Sequence, residues 1–118
     1  MRTSMYDEQR KAFEKYDIIL SPTTICPPVE NTNNTLGPEY VNGIKTERLI
    51  GFCETFMFNF SGNPCASIPC SFTKNGLPVG MQIVGRRMED ENVLAVSKAY
   101  ENIRPWRDKY NIALARKI

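Results

Sequence analysis

Residues 58 to 85, FNFSGNPCASIPCSFTKNGLPVGMQIVG, constrain the fold more than any other stretch, because two strand-like runs and an ordered series of Gly and Pro stops share one short window. Cys65 to Pro69 reads as one strand and Val79 to Val84 as another, with Asn75 and Gly76 marking the turn between them. The link SFTKNGLP is too short to hold the helix of a parallel crossover, so an antiparallel pairing or an irregular connection is expected. Just upstream, Ser61, Gly62, Asn63 and Pro64 form a turn cluster that stops any preceding helix, since Pro64 has no backbone N–H to donate.

Around this window the periodicity predicts simple elements. Met5, Gln9, Ala12, Phe13 and Tyr16 fall on one face of a helix over 5–16. Ile18, Ile19 and Leu20 then make a short apolar run closed by Ser21 and Pro22, which suits a central strand buried on both faces. From Pro22 to Thr46 the chain is rich in Pro, Asn, Thr and Gly, the composition of a long surface loop. A loop of that length is a pocket rim, a partner contact or slack. Over 47–60, Leu49, Ile50, Cys53, Phe56, Met57 and Phe60 recur at helical spacing, with Thr46 as N-cap and Glu47 at the positive end of the dipole. Glu89, Asp90 and Glu91 open a last helix in which Val93, Leu94, Val96, Tyr100 and Ile103 pack, and Pro105 ends it. The tail WRDKYNIALARKI reads as a docked surface extension anchored by Trp106.

The fold expected is therefore α/β: a small mixed sheet of about three strands with about three helices, organised as one segment over 1–118. At 42% hydrophobic and 24% charged, the composition is that of a chain that folds. Fifteen basic and 13 acidic residues are interspersed, leaving no concentrated basic face for phosphate backbones, so nucleic acid is not an expected partner. No apolar run approaches the roughly 20 residues that cross a bilayer, and MRTSMYDEQRKAF lacks the apolar core of a secretory signal. No membrane contact and a cytoplasmic location are expected. Cys26, Cys53, Cys65 and Cys70 show no C-x-x-C spacing and read as free, mostly buried thiols. The sequence contains no His, which removes Ser-His-Asp and Cys-His activation along with the commonest general base. No metal or cofactor is called for.

Four pieces in order give a more specific pattern: Tyr16-Asp17; Ser21-Pro22-Thr23; Phe58-Asn59-Phe60-Ser61-Gly62-Asn63-Pro64 with Pro69; and Gly76-Leu77-Pro78-Val79-Gly80-Met81-Gln82. Together they resemble the C-terminal portion of the amidase-signature hydrolases, over nearly the whole chain. Cys65 departs from the small residue usual at its position, though a thiol is small enough to fit. What the resemblance implies for a complete enzyme is hydrolysis of the C–N bond of a carboxylic amide. The family uses a Ser nucleophile, a second Ser and a Lys in a Gly/Ser-rich core, with backbone N–H groups as oxyanion hole. Residues 1 to 118 include no such stretch, so no catalytic residue is assigned, and the chain alone is expected to be inactive. Its serines have turn or cap explanations, and a hydroxyl without a positioned base is a weak nucleophile.

The resemblance instead implies pocket-wall residues: Phe52, Thr55 and Phe56 on the segment before the N-x-S-G turn, and Thr23 after the first strand. Ordinary core packing for the first three, and capping of the next loop for Thr23, are the alternatives. Members that act on glutamine carry an acidic residue near the position of Phe52, so Phe52 implies an apolar amide. Asn59 and Gln82 read as buried amides that satisfy backbone groups. The partner implied is the N-terminal catalytic part of an amidase, or another copy of the chain, because an incomplete sheet leaves apolar faces uncovered. A stand-alone binding or scaffold module and one separate polypeptide of a split amidase are the competing readings.

Overall fold

The computed structural model describes residues 2–29 and 36–110. Helix α1 (Arg2–Phe13) carries the ion pairs Lys11–Glu8 at 2.8 Å and Arg10–Glu14 at 3.1 Å on its solvent side and buries Phe13. It starts and ends three residues earlier than the periodicity predicts, and Tyr16 lies beyond it and exposed. Strand β1 (Ile19–Pro22) follows. Strands β2 (Tyr40–Val41) and β3 (Ile44–Lys45) make a small hairpin, helix α2 (Thr55–Ser61) precedes strands β4 (Cys65–Phe72) and β5 (Pro78–Val84), and helix α3 (Asp90–Ile103) leads to a 3-10 turn at Arg107–Tyr110.

The main sheet has the order β1-β5-β4 with both pairings antiparallel. The expected α/β make-up of about three strands and about three helices is present, with antiparallel rather than mixed pairing. The β4–β5 hairpin closes through Thr73, whose carbonyl accepts from Gly76 N and whose hydroxyl accepts from Leu77 N, and Gly76 supplies the positive φ of 76°. A register shift between Pro69 and Ser71 bends β4. Because β5 is central, its C-terminal half, Gln82, Ile83 and Val84, is the most buried stretch among the described residues. Phe13 and Phe58 pack with Val84, and Val93 of α3 seats against Gly85, where a Cβ would stand 2.6 Å from Val93 Cγ2.

Several expectations are corrected. β1 is an edge strand with alternating exposure, and Leu20 is 59% exposed. The helix expected over 47–60 forms only from Thr55. In 47–54 the Glu47 carboxylate takes the Leu49 and Ile50 N–H groups and Gly51 N closes a single turn on Glu47 O. The following backbone pairs with residues 23–25, through Ile25 N to Phe52 O and Glu54 N to Thr23 O, both 3.0 Å. Sheet-like bonds to a distant segment thus replace the helical ladder. Thr46 is accordingly not an N-cap; its hydroxyl donates to Ile44 O at 3.2 Å. The segment 22–46 is not wholly irregular, since Asn42 (φ 51°) and Gly43 (φ 79°) form the left-handed two-residue turn of the β2–β3 hairpin.

Helix α2 ends at the expected cluster, with Gly62 in the left-handed conformation at φ 73°. Asn59 is exposed, not buried, whereas Gln82 is buried as expected. Of the α3 residues expected to pack, Val93 is buried but Leu94 and Ile103 are 66% and 78% exposed. The four cysteines are free, and none is fully buried: Cys65 is exposed and the others are half-buried. The tail beyond Tyr110 lies outside the described residues.

Candidate substrate cleft

Thr23 sits where three segments meet. Its N–H donates to Gly80 O of β5 at 3.1 Å, its carbonyl accepts from Glu54 N at 3.0 Å, and its hydroxyl shares a 2.7 Å hydrogen bond with Ser67 of β4. The neighbouring Thr24 pairs antiparallel with Cys53, so residues 52–54 are strapped across the end of β1. That strap holds Phe52 at the cleft wall. Gly37 lies close to the Phe52 ring and is itself fixed by reciprocal bonds, Gly37 N to Arg48 O at 2.7 Å and Arg48 Nε to Gly37 O at 3.1 Å.

The result is an open cleft of about 540 Å³ between the turn after β1 and the start of β5. Phe52, the run from Ile25 to Val29, and Pro78, Val79 and Gly80 line it. The Thr24 hydroxyl is turned onto Cys26 O at 2.8 Å. Among the described residues none that lines it carries a charged side chain. Burial, and secondarily the neighbouring Cys53, pushes the Cys26 thiol above its ordinary value of 9.0, so it stays protonated and neutral near pH 7. Such a wall suits an uncharged, largely apolar occupant. Among the described residues neither a lysine nor a carboxylate lines the cleft beside the Thr23–Ser67 pair to activate a hydroxyl.

Of the residues expected to form the pocket wall, Thr23 and Phe52 come together here. Thr55 and Phe56 do not. They open α2 outside the cleft, both exposed, and Phe56 meets Phe60 edge-to-face at 6.3 Å. Sequence reasoning missed Val79, Gly80 and the Ile25–Val29 wall; the G-L-P-V-G and I-C-P-P runs were the available signals. Among the described residues no group of three His, Cys, Asp or Glu side chains could hold a metal ion, and no helix is long and apolar enough to cross a membrane.

The family profile described as Amidase matches residues 1–94. The chain belongs to the amidase family. This amidase segment is 32% identical over 109 residues to an acylamidase of Rhodococcus erythropolis, covering 92% of the chain and 22% of that relative. It is 40% identical over 101 residues to a glutamyl-tRNA(Gln) amidotransferase component of Brevibacillus brevis, covering 86% and 19%. In three dimensions it matches a bacterial aryl acylamidase of the amidase-signature enzymes with a TM-score of 0.93 and 41% identity, over 99% of the chain and 24% of that structure. The glutamyl-tRNA(Gln) amidotransferase component from Thermotoga maritima matches less closely, with a TM-score of 0.65 and 32% identity, over 89% and 21%. The chain thus spans about a fifth of the length of the curated amidases it matches.

Proposed function

We propose that residues 1–118 are the C-terminal part of an amide hydrolase, forming one wall of its substrate cleft while a catalytic N-terminal part supplies nucleophile and base. The observation that carries this is the aryl acylamidase likeness, 41% identity at a TM-score of 0.93 across nearly the whole chain. Thr23 and Phe52 are the substrate-contacting residues in this reading, and a lining without charge among the described residues favours an apolar or aryl amide over glutamine. The missing partner covers the exposed Leu20, Leu94 and Ile103, apolar surface of a kind that small soluble domains bury against something. Four free thiols agree with a reducing compartment, the cytoplasm.

A chimera tests it. Residues 1–118 replace the matching segment of an aryl acylamidase, and hydrolysis of 4-nitroacetanilide is followed for the chimera and for the chain alone. The chimera is expected to turn over and the chain alone to be inert. An inactive but folded chimera, or turnover by the chain alone that is lost when one of its own serines is replaced, overturns the proposal.

A further inference from the structure

The Thr23–Ser67 bond crosses the face of the central strand over a residue that has no side chain. A Cβ on Gly80 would stand 2.7 Å from Thr23 Oγ1 and 3.2 Å from Ser67 Oγ, so glycine is what leaves room for the two hydroxyls to meet. Each hydroxyl has one proton and two lone pairs. In a mutual bond one proton is used, and the pair therefore always keeps one to give. Thr23 lines the cleft, whereas Ser67, on β4, is not among its lining residues. With Ser67 donating to Thr23, the Thr23 proton is left free for an acceptor in the cleft. Its backbone groups are already committed to Gly80 and Glu54, and Thr24 has spent its hydroxyl on Cys26 O.

We infer that the Thr23–Ser67 pair is the polar end of the cleft, giving one hydrogen bond to the carbonyl oxygen of a neutral amide whose apolar body lies against Phe52 and Val79. This rests on the reading of the cleft as a substrate site and adds what the occupant must carry: one acceptor, no charge, and a hydrocarbon or aryl body. Thr23 binds; Ser67 is a positioning residue that fixes the direction of the Thr23 hydroxyl.

Backbone amide shifts of the 118-residue chain, titrated with acetanilide and with isopropylbenzene, test the inference, the second probe matching the first in apolar bulk but lacking an acceptor. Both probes are expected to move the Phe52, Val79 and Gly80 amides. Thr23→Val weakens acetanilide about five- to tenfold, the worth of one hydrogen bond, and leaves isopropylbenzene unchanged. Thr23→Ser keeps acetanilide within about twofold of the parent, because the donor is retained. Equal weakening of both probes, no change for acetanilide, or no acetanilide shifts at the cleft overturns the inference. Should Val at position 23 prevent folding, Ser67→Ala decides: a selective loss of acetanilide supports the pair, and unchanged affinity sinks it. Acetanilide bound through Thr23 alongside an inactive chimera would remove the enzyme and leave the pair. An active chimera whose chain fails the probe test would do the reverse.

Discussion

The guanidinium of Arg86, just past β5, donates to the carbonyl of Phe13 at 2.9 Å while lying 5.8 Å from the centroid of the same residue's ring. It also reaches Tyr16 O at 3.2 Å and Asp17 Oδ1 at 3.1 Å. One side chain thereby holds the end of α1, whose last carbonyls have no partner within the helix, against the end of the central strand.

Arg86→Ala is accordingly expected to cost about 1.5–3 kcal/mol, the range for hydrogen bonds to a charged donor, read as a lower urea midpoint at unchanged slope. Asp17→Ala should change the midpoint little, because Asp17 is 93% exposed and its ion pair is screened by water. A larger loss from Asp17→Ala than from Arg86→Ala would show that the ion pair, not the carbonyl contacts, fastens the helix.

Gln82 ties both edge strands to the central one. Its side chain, on a residue only 1% exposed, donates through Nε2 to Pro22 O at 2.9 Å and accepts from Cys65 Sγ at 3.4 Å. Gln82→Leu is expected to lose about 1–3 kcal/mol by removing the donor to Pro22 O, and Cys65→Ala less, since a thiol donates weakly. Urea unfolding of the two variants and of their combination separates the contributions.

The β4–β5 hairpin and the stop at Gly62 were legible because apolar runs and Asn-Gly or Gly-Asn-Pro turns are local signals. The helix expected over 47–60 was not, since periodicity registers side chains and not the competition for backbone N–H groups. Glu47 captures two of those groups, and residues 23–25 claim the 52–54 backbone. Thr23 and Phe52, implied by the family resemblance, both line the cleft. Gly80 and Ser67 were not legible, because their nearness to Thr23 is created by the register of β5 against its two neighbours. Thr55 and Phe56, implied by the same resemblance, lie outside this cleft's lining at the start of α2, which begins at Thr55 and not at Glu47.

The bonds of Glu47 make a pH dependence. Hydrogen bonds from Ile50 and Leu49 N–H hold its carboxyl below the ordinary 4.5. A carboxylate whose pKa is lower in the folded than in the unfolded state contributes stability that is complete above the unfolded value and lost as pH falls through the folded one. Glu47→Gln should therefore melt below the parent at about pH 7, with the gap closing as pH drops below the unfolded carboxylate value. A gap that is constant with pH would mean that the carboxylate form contributes nothing to the 47–51 turn.

Gly37 offers the sharpest test of what places Phe52. An added Cβ would run into the Phe52 ring and lie 2.8 Å from Arg48 O, and a backbone atom cannot rotate away. The reciprocal Gly37–Arg48 bonds leave little room for the loop to retreat, so the ring has to yield. Gly37→Ala is expected to cost about 1–3 kcal/mol from overpacking and to shift the Phe52 ring resonances. Phe52→Leu combined with Gly37→Ala should recover part of that stability, because the smaller side chain vacates the space the new methyl needs. If the double variant is no more stable than Gly37→Ala alone, contact with Arg48 O rather than with the ring is what demands glycine, and the position of Phe52 is set by the strap to Thr23 and Ile25.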